Sequence, residues 1–144
     1  MSRSIGLLVV CAVSLASWLP ARAMTVKTNI DALRTAIDPS KGPPIAEPVY
    51  PRRNSAPEHG PPGPYTPEKA VESGLGGIAV IQCGLALSGR LNRCALVAEG
   101  PLDFDFGAAA LKMAGVGYLT ARAPATFNDG DPVRVIVVFP KPKG

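Results

Sequence analysis

The chain has 144 residues, of which 47% are apolar and only 6% aromatic, and its formal net charge at pH 7 is +4. This length excludes two separate large cores and an eight-fold β/α barrel. Proline and glycine account for 31 residues, a share that indicates extended or low-complexity sequence, whereas the apolar fraction requires a core. We therefore expect the two compositions to occupy different stretches of the chain.

The first 23 residues have the three parts of a secretory signal peptide. Arg3 precedes a charge-free, mostly apolar stretch over residues 5–19, and residues 21–23 supply the small-x-small pattern of a cleavage site. We predict cleavage between Ala23 and Met24. The apolar stretch is shorter than the roughly 20 residues that span a bilayer as a helix, which favours a cleaved signal peptide. An uncleaved membrane anchor is the alternative. Cleavage would leave a net charge near +2, which argues against a nucleic-acid partner.

Residues 24–64 are predicted to form an N-terminal segment and a proline-rich spacer. The apolar positions before the spacer recur at helical intervals: Val26, Ile30, Leu33 and Ile37. An isolated helix this short is marginal in water, so we favour a frayed tail. Ten of the 16 prolines lie within residues 39–67, and they favour extended geometry and a semi-rigid spacer. His59 lies in this stretch without a second metal ligand at a suitable spacing.

A small domain is predicted over residues 65–144. Proline at the first helical position and Gly74 at the end bracket a short helix over residues 67–73. A strand follows at residues 78–87, and the turn signal Ser88–Gly89 leads to a second strand at residues 90–98.

A second helix is predicted over residues 104–115, with Asp103 or Asp105 as its cap. The β-branched run at residues 133–139 is predicted to be a third strand. The resulting fold class is α+β: a small three-stranded antiparallel sheet packed against one main helix, with a short helix before the first strand.

Cys83 and Cys94 are predicted to form a disulfide across the hairpin. If Ser88–Gly89 is the centre of an even-numbered loop, the two cysteines face each other, with Cα atoms roughly 4.5–5.5 Å apart. A non-hydrogen-bonded pair suits the bridge better, which favours a four-residue loop. An oxidising compartment favours the bridge. Two free buried thiols, or a soft-metal pair with Met113, are the alternatives, although the metal pair lacks a convincing third ligand.

The sequence shows no pattern of catalytic residues. The single histidine lies in the spacer, and Asp103 and Asp105 lie where they can cap a helix. Residues 74–77 are glycine-rich but lack the lysine of a phosphate-binding loop. The spacing of eleven residues on facing strands does not favour a reactive thiol at either cysteine of the hairpin. We therefore expect a protein without enzymatic activity, cofactor or metal.

A series of short motifs follows a characteristic order across residues 65–140. It comprises Tyr65, Pro67, Ala70, Gly74, Gly77, Gly89, Arg90, Leu91, Phe106, Gly107, Ala109, Ala110, Leu111, Asp129, Gly130, Pro132, Val133 and Phe139. Their order and spacing resemble the C-terminal domain of the TonB energy-transducer family. A proline-rich spacer is also a common feature of that family, and the paired cysteines resemble a variant among such domains.

The resemblance implies a binding function for the last strand. In that family the domain binds the TonB box, a short extended segment of an outer-membrane TonB-dependent transporter, which adds to the sheet beside the last strand. Carried over to this chain, the partner-binding edge strand consists of Val133, Arg134, Val135, Ile136, Val137, Val138 and Phe139. An ordinary edge strand or a homodimer seam is the alternative.

The resemblance also implies a periplasmic protein linked to energy-dependent transmembrane transport. Two features depart from the family pattern. Thr66 separates Tyr65 from Pro67, and the predicted cleavage would remove the membrane anchor that contacts the inner-membrane motor. A motor partner is therefore expected only if residues 1–23 persist as a single inner-membrane anchor facing the periplasm. The alternative is a non-transducing periplasmic binding or scaffolding module.

Overall fold

The computed structural model describes residues 29–50 and 65–142 of the chain. Their elements are α1 (Ile30–Ile37), a 3-10 turn (Pro39–Lys41), β1 (Ile45–Val49), α2 (Glu68–Ser73), β2 (Gly77–Leu85), β3 (Leu91–Gly100), α3 (Phe106–Gly115), β4 (Thr120–Arg122) and β5 (Pro132–Phe139). The predicted leader and its cleavage site between Ala23 and Met24 lie outside the described residues.

The prediction of a three-stranded antiparallel sheet packed against one main helix is wrong. Within residues 29–50 and 65–142 the structure has three α-helices and one mixed sheet of five strands in the order β3-β2-β5-β1-β4. Only β3, β2 and β5 have the expected antiparallel arrangement. The two additional strands extend the sheet beyond β5, because β1 pairs with β5 in parallel and β4 pairs with β1 in antiparallel orientation.

The N-terminal segment, residues 29–50, belongs to this folded unit. The residues with amphipathic spacing before the spacer form α1, so the favoured prediction of a frayed tail is wrong. Asn29 caps this helix by accepting a hydrogen bond from the Ala32 amide at 3.1 Å. The 3-10 turn and β1 follow, and both lie within the stretch that the sequence predicts to be a spacer. Part of the proline-rich sequence is therefore structural, and it contributes a strand to the sheet.

From residue 65 onward, each predicted helix or strand begins and ends within two residues of the corresponding observed element. Side chains of β2 and β5 alternate between two faces of the sheet. The face towards α3 carries the main core, with Ile81, Val135 and Phe139 packed against Phe106 and other buried residues of the helix. The face towards α1 is much smaller and centres on three buried residues, Ala36, Val80 and Ala98.

Gly77 allows α3 to pack closely against the sheet. A Cβ atom at this position would lie only 2.2 Å from the Phe106 ring, and the same ring packs against that of Phe139 with centroids 5.1 Å apart. Glycine is therefore required at position 77 by close approach.

The start of α3 is capped by a residue of a different element. Asp105 occupies the N-cap position in the left-handed conformation, but its carboxylate makes no capping bond and instead contacts Lys69 Nζ at 2.9 Å. Glu99 at the end of β3 accepts a hydrogen bond from the Gly107 amide at 2.6 Å. The expectation is thus right about the N-cap position of Asp105 but wrong about the capping bond, because Glu99 satisfies an amide of the first turn.

We predict that Glu99→Ala lowers the free energy of unfolding by about 1 kcal/mol, the usual cost of losing a helix cap. The matched control is Asp105→Asn, which tolerates the left-handed conformation and loses only an exposed ion pair, with an expected cost below about 0.5 kcal/mol. Urea denaturation of both variants measures the difference. An equal or larger loss for Asp105→Asn would contradict the assignment of the cap to Glu99.

Candidate functional site

Strand β5 carries the predicted partner-binding residues 133–139, and the structure places it inside the sheet. It lies between β2 and β1, so the expectation that it forms an exposed edge of the sheet is corrected. The reason is that residues 45–49 supply a strand that the sequence did not predict.

The two sides of β5 are paired very differently. On one side, β2 pairs with it in antiparallel register at eight positions, from Gly77 opposite Phe139 to Gly84 opposite Pro132. On the other side, which we call the outer side, β1 supplies only two register pairs, Ile45 with Arg134 and Ala46 with Val135. The outer side of β5 is therefore covered at its beginning, whereas β1 gives no register partner to residues 136–139.

The chemistry of proline explains why the parallel ladder stops. The Arg134 amide donates to the Pro44 carbonyl at 2.9 Å, so the even-numbered residues of β5 direct their main-chain groups to the outer side. In this register the amide that would bond the Ile136 carbonyl belongs to residue 48, which is proline and has no N–H. Beyond this point β1 pairs with β4, through Glu47, Pro48 and Val49.

The side chains of β5 divide between the two faces of the sheet. The valines at odd positions and Phe139 are buried towards α3. On the opposite face Arg134 is buried, Ile136 is half-buried, and Val138 is 53% exposed. Of the predicted binding residues, Val138 therefore presents both an apolar side chain and outward-directed main-chain groups.

Arg134 holds the N-terminal segment onto β5. Although only 2% exposed, its guanidinium donates to four main-chain carbonyls of that segment. Nε bonds the Pro43 oxygen at 2.8 Å, Nη1 bonds the Ala36 oxygen at 2.7 Å and the Thr35 oxygen at 3.4 Å, and Nη2 bonds the Asp38 oxygen at 2.8 Å. These carbonyls lie at the end of α1 and in the turn after it, where a cation is favourable.

The Asp38 carboxylate stabilises the same turn. It accepts hydrogen bonds from the Ser40 hydroxyl at 2.7 Å and from the Ser40 amide at 2.9 Å. These bonds, with a smaller contribution from the positive charge of Arg134, hold the pKa of Asp38 below its ordinary value. Within the described residues no carboxylate lies within ion-pair distance of Arg134, so its hydrogen bonds are supplied by neutral carbonyls.

Cys83 and Cys94 are joined by a disulfide, with their Cα atoms 4.1 Å apart. This separation suits a non-hydrogen-bonded pair, which agrees with the pairing on the other side of β2, where Cys83 opposes Val133. The bridge thus fastens β3 to β2, the strand that β5 pairs with along its length. It therefore supports β5 indirectly, through β2, and does not lie on the exposed part of β5.

The hairpin reaches this pairing by an unexpected route. The loop has three residues, 87–89, because the Ala86 amide bonds the Arg90 carbonyl, and Gly89 adopts a positive φ of 85°. That register alone would set Cys83 opposite Arg93. A bulge at Arg93, with φ 48°, shifts the pairing by one residue and brings Cys94 opposite Cys83.

Sequence reasoning missed a tyrosine cluster at the end of β1. Tyr65 and Tyr118 pack with ring centroids 4.8 Å apart, and Tyr50 packs against the same core. Burial, together with the Tyr118 phenol, raises the pKa of Tyr50 to about 12. Tyr50 and Tyr65 are the described residues on either side of residues 51–64, and both pack against one core.

We predict that the double variant Cys83→Ala, Cys94→Ala lowers the free energy of unfolding by about 2–3 kcal/mol, because the unfolded chain regains the entropy of an eleven-residue loop. Urea unfolding of the variant should match that of the reduced parent protein. Thiol labelling of the unreduced, unfolded parent should leave both cysteines unmodified, and labelling at either would contradict the bridge.

A pH effect is expected from Tyr50. Because the folded state raises the pKa of its phenol, folding favours the protonated form. The contribution of Tyr50 to stability is therefore complete below the unfolded pKa of about 10 and is lost as the pH rises through about 12. Comparison of urea unfolding at pH 8 and at a pH near 11 should show a smaller loss for Tyr50→Phe than for the parent. Equal losses would contradict the assignment.

The described part of the chain offers neither a metal centre nor a membrane helix: in residues 29–50 and 65–142 no group of three or more His, Cys, Asp or Glu side chains could hold a metal ion, and no helix is long and apolar enough to cross a bilayer. No protein-family model matches the sequence, and comparison with curated proteins also gave no match.

Proposed function

We propose that this protein is a periplasmic TonB-like binding domain, which takes up the TonB box of an outer-membrane transporter by strand addition on the outer side of β5. The observation that carries the proposal is the pairing of β1, since a short extended segment already adds to β5 at Arg134 and Val135. The partner is recognised through its main chain, and no cofactor or catalytic group takes part.

The main-chain groups of β5 provide the binding chemistry. The alternation that directs the Arg134 amide to the outer side also directs the groups of Ile136 and Val138 there. An extended segment can therefore bond the Ile136 carbonyl and both main-chain groups of Val138. Hydrogen bonds of this type supply affinity, and contacts with side chains such as the exposed Val138 supply selectivity.

The fold of the N-terminal segment favours a second candidate, a non-transducing binding or scaffolding module. In an energy transducer the proline-rich spacer separates the membrane anchor from the domain. Here α1 and β1 pack on the same sheet as the rest of the domain, so residues 51–64 connect two parts of one folded unit. An inner-membrane motor is a partner only if residues 1–23 persist as an anchor.

Titration of the ¹⁵N-labelled full chain with a synthetic TonB-box peptide tests the binding. We expect the amide signals of Ile136 and Val138 to shift. Val138→Pro, which removes an outward-directed N–H, should weaken binding by about tenfold. Val138→Ala is the matched control, because it keeps the N–H and loses only side-chain contact, so its effect should be smaller.

Two results would count against this proposal. If the peptide shifts amide signals of β3 and leaves those of β5 unchanged, partners add to the other long strand. If no signal shifts and the protein sediments as a dimer that Val138→Pro dissociates, the outer side of β5 is a homodimer seam.

A further inference from the structure

The N-terminal segment covers the beginning of the outer side of β5, next to the main-chain groups of Ile136 and Val138 that the proposed partner would bond. It lies against β5 through the two register pairs of β1 and through Arg134, whose side-chain hydrogen bonds all end on carbonyls of this segment. A partner strand that adds at the beginning of β5 must compete with β1 for the same main-chain groups.

The segment contributes only small side chains to the fully buried core, while Leu33 and Tyr50 pack against that core partly buried. Its fully buried apolar side chains are two alanines, Ala36 and Ala46, whereas Ile30, Ile37 and Val49 are exposed. The largest fully buried side chains belong to β2, β5, α3 and the residues after α3. Because apolar burial is the main favourable term in folding, the segment should open at a lower free energy than the rest of the domain.

We propose that the N-terminal segment is an intramolecular competitor, in which β1 covers the outer side of β5 until an extended partner displaces it. This inference rests on the proposed function and names the regulation of its site. The fraction of molecules with the segment released then sets the apparent affinity for the partner.

Arg134 determines how tightly the segment is held. Closed, its guanidinium is buried and satisfied by the carbonyls of residues 35, 36, 38 and 43. Released, the same guanidinium is solvated by water, because the segment that buried it has moved away. Opening therefore exchanges hydrogen bonds and leaves no stranded charge, so its cost stays moderate.

The pairing of β1 also indicates which partner can displace it. The segment runs parallel to β5 and places the small Ala46 in the core, 1% exposed. A competitor needs a small residue at that place. If it carries a non-proline residue two positions later, it supplies the N–H that Pro48 lacks and gains a bond to the Ile136 carbonyl. Such an extended peptide pairs with more of β5 than β1 does.

Hydrogen exchange of the full parent chain, followed by mass spectrometry, tests the release. We expect amides of residues 29–50 to exchange at least about tenfold faster than those of β2. Exchange of both at one common rate would show that the segment opens only with the whole domain, and it would overturn the proposal.

A binding experiment tests the competition with a defined probe. The probe is a fluorescent peptide of residues 44–50 carrying Pro48→Val, which lacks the carbonyls that the Arg134 side chain bonds. The proteins are the full parent chain, Arg134→Leu and Arg122→Leu. Arg134→Leu should bind the probe at least about tenfold more tightly than the parent, since it loses charge-assisted hydrogen bonds to the segment. Arg122→Leu is the matched control, because it loses only the exposed contact with Glu47, and it should bind like the parent.

The opposite variant guards against a folding defect in Arg134→Leu. Pro48→Val in the full chain lets β1 extend its own ladder, so it should slow exchange at residues 46–50 and weaken probe binding severalfold. Unchanged or tighter binding by Pro48→Val would overturn the proposal, as would equal binding by the parent and a folded Arg134→Leu.

The TonB-box peptide separates this inference from the proposed function. If it binds the parent, Arg134→Leu and Pro48→Val with one affinity, strand addition stands and the competition fails. If it binds none of them while the β1 probe follows the expected order, the competition stands and the assigned partner is wrong.

Discussion

The arrangement of the N-terminal segment, residues 29–50, depends on the burial of one cation. Arg134 lies on a central strand, where its guanidinium needs hydrogen-bond acceptors, and the described structure supplies main-chain carbonyls for it. Those carbonyls become available where α1 ends and the chain turns, so the helix must finish above β5. The chain that leaves this turn then runs alongside β5 and becomes β1. The end of the helix and the turn after it therefore meet at one buried cation.

Sequence patterns predicted the hairpin, α3 and β5 because each carries a strong local signal: a turn at Ser88–Gly89, helical spacing from Phe106, and a β-branched run from Val133. They did not predict β1, because its pairing with β5 covers two positions and prolines surround it. Proline composition indicated a spacer, yet a strand tolerates Pro48 where its missing N–H ends a ladder. The predicted binding strand therefore has neighbours that the sequence did not indicate, since burial of Arg134 depends on residues more than 90 positions away.

The disulfide shows how a pairing can follow from an incomplete premise. The even-numbered loop that set Cys83 opposite Cys94 does not form, and the loop has three residues. The bulge at Arg93 restores the same pairing by inserting one residue into β3. Neither feature has a strong sequence signal, because Arg is not a residue that usually adopts positive φ. The same applies to Glu99, which caps α3 from a neighbouring strand, a role that sequence spacing cannot show.

The convergence of Tyr50 and Tyr65 on one core has a mechanical consequence. A proline-rich stretch extends the reach of a domain only if it lies between the domain and its attachment point. Residues 51–64 instead connect Tyr50 to Tyr65, and both tyrosines pack on the folded unit. Residues 24–28 connect a leader ending at Ala23 to the first described residue, Asn29. The contour length of these five residues is at most about 18 Å. If residues 1–23 persist as an anchor, they would hold the sheet close to the membrane surface, and under the proposed function the transporter segment would have to travel the remaining distance.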